Sequence, residues 1–150
     1  MKKSIGRLIS ILHRQAQVYI NHALKDYNIT SAEHPILLYL WKHNGASQDE
    51  ISSFLYIDKA ATARVIKSLE EKGYVTKSKD NLDKRINHVS LTKKAELNIE
   101  DIAERVNHWS DIITGNYDEN TKEYIYSILE DMVDTVEHTD LKKVVVSNDL

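Results

Sequence analysis

Apolar residues recur at steps of three and four along most of this chain, and the places where that rhythm changes mark its elements. Ile5, Ile9, Leu12, Ala16, Tyr19, Ala23 and Tyr27 form one stripe, widened by Leu8, Ile20 and Leu24, which predicts a helix over about 4–27. Thr30 or Ser31 then offers a cap to a second helix, with Glu33 or His34 in its first turn. Pro35 is tolerated there because the first helical N–H groups have no intrahelical partner. Ile36, Leu37, Leu40 and Trp41 give its inner face, and Asn44-Gly45 stops it. Ser47-Gln48-Asp49-Glu50 is a capping box opening a short third helix with Ile51, Phe54 and Leu55 as core positions. Asp58 caps a fourth helix, lined inside by Ala61, Val65, Ile66 and Leu69 and closed by Gly73.

At Tyr74 the period drops to two. Residues 74–79 read as a strand, 80–83 as a turn, and 85–91 as a second strand with Ile86, Val89 and Leu91 as its apolar members. The alternation is imperfect, so a bulge is expected. Thr92 caps a fifth helix through Ala95, Ile99, Ile102, Ala103, Val106, Trp109 and Ile113, ended by Gly115. Asp118 starts a sixth through Tyr124, Ile125, Ile128, Leu129, Met132, Val133 and Val136. Asp140 to Leu150 has no period.

Short helix, tight turn, helix, hairpin is the order of a winged helix-turn-helix. The fold class expected is therefore mainly α with a small β-hairpin wing. Residues 1–150 are expected to form one domain, with the winged helix-turn-helix at about 30–92. The broad apolar stripes of about 4–27 and 93–137 are left over for dimerisation, and 138–150 read as a tail. A single proline and four glycines suit long helices.

Charge sharpens this picture. The net charge is −3, which by itself argues against a nucleic-acid partner, but the distribution is uneven. Residues 1–58 carry 6 basic and 5 acidic side chains, 59–94 carry 10 and 4, and 95–150 carry 4 and 14. Phosphate would be drawn to the middle block and repelled by the last. The chain has no cysteine, which removes disulfides, thiolate zinc sites and thiol switches. No apolar run reaches the roughly 18 residues of a membrane span, and the basic start lacks the apolar core of a signal peptide. The expectation is a cytoplasmic protein without a membrane partner.

The basic block coincides with the parts of a winged helix that meet double-stranded DNA. A major groove admits one helix, read at its N-terminal residues, while a hairpin reaches the adjacent backbone or minor groove. On the fourth helix Lys59, Ala60, Thr62, Ala63, Arg64 and Lys67 are the candidate contacts. Small Ala side chains permit close approach, Ala and Thr methyls suit a thymine methyl, and Arg can bridge guanine acceptors. Lys77, Lys79, Lys84 and Arg85 are the candidates on the hairpin, and Ser53 and Ser68 are further phosphate candidates.

Residues 83–92, Asp-Lys-Arg-Ile-Asn-His-Val-Ser-Leu-Thr, resemble the D-x-R-x-x-x-V-x-L-T wing signature of the MarR (multiple antibiotic resistance regulator) family. Leu69-Glu70-Glu71-Lys72-Gly73-Tyr74-Val75 is similar to that family's exit from its recognition helix, and residues 57–64 resemble the start of that helix. The plan of flanking long helices is similar as well, so the resemblance covers nearly the whole chain. Ala95 departs from it, where the family usually has Gly. The resemblance implies a transcriptional regulator, a repressor in the first instance, binding a palindromic operator as a homodimer through intertwined terminal helices. It implies that Arg85 enters the minor groove and that Asp83 orients it. It also implies a pocket for a small-molecule effector, with Tyr19, Tyr27, Tyr39, Trp41 and Trp109 as candidate liners.

A zinc-responsive branch of that family places His and Glu in similar elements. His22, Glu33, His34, Asp101, Glu104 and His108 are the corresponding candidates here, but no four-ligand spacing is legible and neither metal nor cofactor is expected. No Gly-rich phosphate loop, nucleophile elbow or paired-His motif points to an enzyme. The alternative to a DNA reader is a winged helix used only for protein–protein contact.

Overall fold

The computed structural model describes residues 2–144. Among them the order is α1 (Ile5–Ala23), one 3-10 turn (Lys25–Tyr27), α2 (His34–Lys42), α3 (Gln48–Leu55), α4 (Lys59–Glu71), β1 (Val75–Lys79), β2 (Asn87–Leu91), α5 (Lys93–Thr114) and α6 (Glu119–Glu137). The chain divides into two compact units, residues 1–110 and 111–150.

Most predicted caps are where the residue chemistry put them. Ser47 accepts from Glu50 N–H while the Glu50 carboxylate accepts from Ser47 N–H, completing the capping box of α3. Asp58 accepts from Ala61 N–H at the start of α4, and Asp118 from Thr121 N–H at the start of α6. Thr92 Oγ1 accepts from Ala95 N–H at the start of α5. Gly73 has φ +80° just past α4, a left-handed conformation that glycine takes without the strain of a Cβ.

The start of α2 differs. Glu33, not Thr30 or Ser31, is its N-cap residue, and the Glu33 carboxylate reaches back to accept from Thr30 N–H. The first helix also stops earlier than 27. It ends at Ala23, and the chain tightens through the 3-10 turn to Asn28 at φ 58°. The hairpin has no bulge. Val75 pairs with Leu91, and the register continues residue for residue to Lys79 opposite Asn87.

The core of the first unit gathers Leu24, Ile29, Ile36, Leu37, Leu40, Ile51, Ile66, Leu69, Tyr74, Val75, Val89, Ala95, Ile99 and Ile102. It thus pins α4 and both strands to the helices around them. Truncating one such position, Leu69→Ala for instance, is worth roughly 2–5 kcal/mol. Ile20 on α1 and Leu24 at its C-cap are buried and flank the predicted stripe, whereas Ile5, Leu8, Ile9 and Leu12 are exposed. Phe54, expected in the core, is also exposed, leaving Ile51 as the fully buried apolar side chain of α3. In the second unit α6 exposes Tyr124, Tyr126, Leu129, Val133 and Val136.

Candidate nucleic-acid interface

The helix-turn-helix is α3, a turn and α4. The turn is set by Tyr56 at φ 55°, whose N–H closes α3. Helix α4 then sorts its side chains by the 3.6-residue period. Thr62, Ile66 and Leu69 face inward and are fully buried. Lys59, Ala60, Arg64 and Lys67 are exposed, and Ala63 is half-buried. Thr62 is therefore a correction to the expected contact set. It lies one step from the outward face, and its Oγ1 donates to Asp58 O at 3.0 Å instead of facing a base.

Ser68 is corrected as well. Its hydroxyl donates to Glu33 Oε1 at 2.7 Å, inside a polar knot at the far end of α4. Lys72 Nζ donates to both Glu33 oxygens at 2.9 Å and to Asn28 O at 2.8 Å. Glu33 is 4% exposed. Burial would raise its pKa, but the hydrogen bonds from Lys72, Ser68 and Thr30 N–H outweigh burial and hold the carboxyl below its ordinary value. Its oxygens are thus engaged in fixing the C-terminal end of α4 to the start of α2.

The wing is built on a second polar chain. Asp80 Oδ2 accepts from the N–H groups of Leu82 and Asp83 at 2.9 Å each, which shapes the turn. Asp83 Oδ1 accepts from Arg85 N–H and Arg85 Nε, both at 3.0 Å, and its Oδ2 from Arg85 Nη2 at 2.9 Å. This fork holds the Arg85 side chain, 90% exposed, in a defined direction. The Asp83 carboxyl is held below its ordinary pKa by the Arg85 side chain and then by Arg85 N–H. Lys77, Lys79 and Lys84 are exposed along the hairpin, with Lys77 3.8 Å from Glu70.

Helix α4 and the wing adjoin through Asp49. Lys59 Nζ lies 3.3 Å from Asp49 Oδ2. Ser47, Gln48, Asp49, Arg85, Ile86 and Asn87 line a small polar cleft of about 110 Å³. The starts of α3 and α4 and the tip-side arginine are therefore neighbours. Sequence reasoning missed Asp49, whose acidic charge among basic neighbours was read only as part of a capping box.

The candidate effector residues separate. Tyr39 and Trp41 line a cavity of about 430 Å³ with His34, Leu38, His43 and Phe54. The Tyr39 ring lies 4.5 Å from those of His43 and Phe54. The His34 Nδ1 is buried without a hydrogen-bond partner, and burial lowers the His34 pKa to about 4. Tyr19, Tyr27 and Trp109 do not line this cavity. Tyr19 donates to Arg105 O and packs its ring 5.8 Å from Trp109. Tyr27 donates to the Asp101 carboxylate. The metal candidates are likewise not gathered. Asp101 is also 3.0 Å from Arg105 Nε, and among the described residues the grouping of three ligand types lies elsewhere, at exposed Asp134, Glu137 and His138.

This arrangement defines a winged helix-turn-helix regulator. Residues 29–86 match the model of the MarR family. A MarR transcriptional regulator from Methanosarcina mazei Go1 has a similar structure, with 34% identity, a TM-score of 0.84, and coverage of 87% of this chain and 94% of that one. The HTH-type transcriptional regulator BilQ of Clostridioides difficile (strain CD3) is 28% identical over 127 residues, 84% of this chain and 86% of BilQ. The DNA-binding transcriptional repressor ScoC of Bacillus subtilis is 39% identical over 71 residues, 47% of this chain and 35% of ScoC. The chain belongs to the MarR family of HTH-type transcriptional regulators.

Proposed function

We propose that this chain is a transcriptional repressor that binds a palindromic operator in double-stranded DNA as a homodimer, with α4 in the major groove and Arg85 in the minor groove. The observation that carries this reading is the sorting of α4 against the core. Ile66 and Leu69 anchor it from within, leaving Lys59, Ala60, Arg64 and Lys67 toward solvent beside the Asp83-fixed Arg85. Arg64 and Ala60 are assigned to base edges. Lys59, Lys67, Lys77, Lys79 and Lys84 are assigned to phosphates, and Ala63 to close backbone approach. ScoC, a repressor by name, supports the sign of regulation.

The dimer reading rests on the exposed apolar faces. Ile5, Leu8, Ile9 and Leu12 on α1, and separately Tyr124, Leu129, Val133 and Val136 on α6, exceed what a monomer of this size leaves scattered on its surface. One recognition helix and one wing read too few bases for genomic selectivity, and two on a palindrome about double the discrimination energy. The cavity at Tyr39, Trp41 and His34 is assigned to an effector with an aromatic body and one polar group facing the His34 ring. A compartment holding the genome follows from the DNA partner, and no helix of the described residues is long and apolar enough to cross a membrane.

Selection of bound duplexes from a random pool tests the reading. The expected product is a palindrome whose half-sites lie about one helical turn apart, bound with a steep inverse dependence on salt. Enrichment of no sequence, with an affinity flat in salt, would reject it in favour of a protein–protein module.

A further inference from the structure

The wing signature absorbs Asp83 and Arg85 but leaves His88 without a role, and His88 occupies an unusual position. It sits on β2, half-buried, opposite Ser78 of β1 on one edge, while the other edge of the strand meets the segment between α2 and α3. Ser47 bridges to His88, Gly45 N–H donates to Val89 O at 2.9 Å, and Val89 N–H donates to Ala46 O at 2.8 Å. The His88 ring spans the two parts. Its Nδ1 is 2.9 Å from Gly45 O, and its Nε2 is 2.8 Å from Asp80 Oδ1.

Both partners are acceptors. A peptide carbonyl has no proton to give. The Asp80 carboxyl, lowered to about 2 by the N–H of Asp83, then His88, then the N–H of Leu82, is ionised at any working pH. A neutral imidazole has one N–H and can satisfy only one of them, leaving a lone pair against an oxygen at the other. Two donors at these distances require the imidazolium. The Asp80 side chain and then the Gly45 carbonyl accordingly raise the pKa of His88 above the ordinary 6.5, with Glu50 on α3 adding to the raise at longer range. The charged and titratable groups facing His88 are thus Asp80 from the wing and Glu50 from α3.

Asp80 is the hinge of the consequence. The oxygen opposite the one that meets His88 shapes the turn through Leu82 and Asp83 N–H, and Asp83 holds Arg85. We propose that His88, as an imidazolium, is a positioning residue for the wing: donating at once to Gly45 O and Asp80, it ties the turn that presents Arg85 to the body of the helix-turn-helix, and losing its proton releases that turn. The bearing on operator affinity rests on the DNA-binding reading above; the tie itself does not.

The direction with pH follows from the raised pKa. The stabilisation is complete below about pH 6.5 and is lost as pH rises through the folded value. Wing order, and with it affinity for DNA, falls on the alkaline side.

The test uses the full chain, isotopically labelled, titrated by NMR from about pH 5.5 to about pH 8.5. The expected result is a His88 midpoint above 6.5, shared by the amides of Leu82 and Asp83 and by Arg85 Nε–H, which broadens as the proton leaves. Asp80→Asn should move all these midpoints down together. Operator affinity, measured over the same range at fixed salt, should fall about three- to tenfold more for the wild type than for His88→Gln, which keeps one donor and does not titrate. A His88 midpoint at or below the ordinary value, wing resonances that ignore it, or parallel affinity profiles for wild type and His88→Gln would overturn the proposal. A wild type whose wing follows the His88 titration but which binds no operator at any pH would leave the tie standing and reject the DNA reading instead.

Discussion

Asp83 grips Arg85 through both carboxylate oxygens, at 3.0 and 2.9 Å, yet leaves the guanidinium in open solvent. An ion pair this exposed adds almost nothing to folding stability. Its value lies in direction, because a minor-groove arginine held in place loses less side-chain entropy on binding. Arg85→Ala is expected to weaken operator binding by about 1–3 kcal/mol with no change in melting temperature. Asp83→Ala should cost less, since the charge survives and only its orientation is lost. Titration of a labelled operator with both variants checks the order, and equal, negligible losses would remove the wing from the interface.

The outward residues of α4 divide into two predicted behaviours. Arg64→Ala should change which operator bases are preferred, whereas Lys67→Ala should weaken all sequences alike and reduce the salt slope by about one phosphate contact. Thr62→Ala belongs to neither class, because Thr62 is fully buried and bonded to Asp58 O. It should lower stability by about 1 kcal/mol and leave base preference intact. Competitive selection with each variant, read alongside chemical denaturation, separates the three outcomes.

Much of this was legible in the sequence where a single local rule decides. Ser47 with Glu50, Asp58, Thr92 and Asp118 each cap a helix as their chemistry requires, and the change of period at Tyr74 marked the hairpin. The errors fall where two rules compete. Thr62 reads as polar and so falls on the predicted polar face, but a hydroxyl that can return to its own helix is free to face the core. The stripe of Ile5, Ile9 and Leu12, by contrast, is left over for a partner by the sequence, and these side chains are exposed. Phe54 reads as core from its spacing, yet it is exposed and lines the same cavity as the candidate liner Tyr39. The pairings of Glu33 with Lys72 and of Asp80 with His88 join residues 39 and 8 apart, across turns whose geometry the sequence does not encode locally.

The Glu33–Lys72 pair should be the strongest polar contributor to the position of α4. Removing one partner leaves the other charge poorly solvated, so Glu33→Ala should cost about 2–4 kcal/mol, moderated because Lys72 keeps some access to water. The depressed Glu33 pKa fixes the pH dependence. Its stabilisation is complete above the unfolded value of about 4.5 and is lost as pH falls through the lower folded value. Urea denaturation should therefore show a loss of stability on the acid side that Glu33→Gln flattens. An unchanged acid limb in that variant would assign the loss to other carboxylates.

His34 supplies a second acid-side effect with a different origin. Its Nδ1 is buried without a partner and burial lowers its pKa to about 4, so the ring is neutral in the folded chain at neutral pH. The unfolded chain protonates near 6.5 and gains an advantage as pH falls from there toward 4, below which the difference is constant. His34→Phe removes both the unsatisfied nitrogen and the titration. It should stabilise the protein by about 1 kcal/mol at neutral pH and by more near pH 5. The His34 side chain also lines the Tyr39 and Trp41 cavity, where its ring is a polar handle for an aromatic ligand. A ligand that donates a hydrogen bond to it should raise the melting temperature of the wild type and not of His34→Phe, while a purely apolar ligand should stabilise both. Thermal-shift measurements with phenol and toluene as paired probes distinguish the two, and equal shifts in both proteins would show that the His34 ring takes no part in recognition.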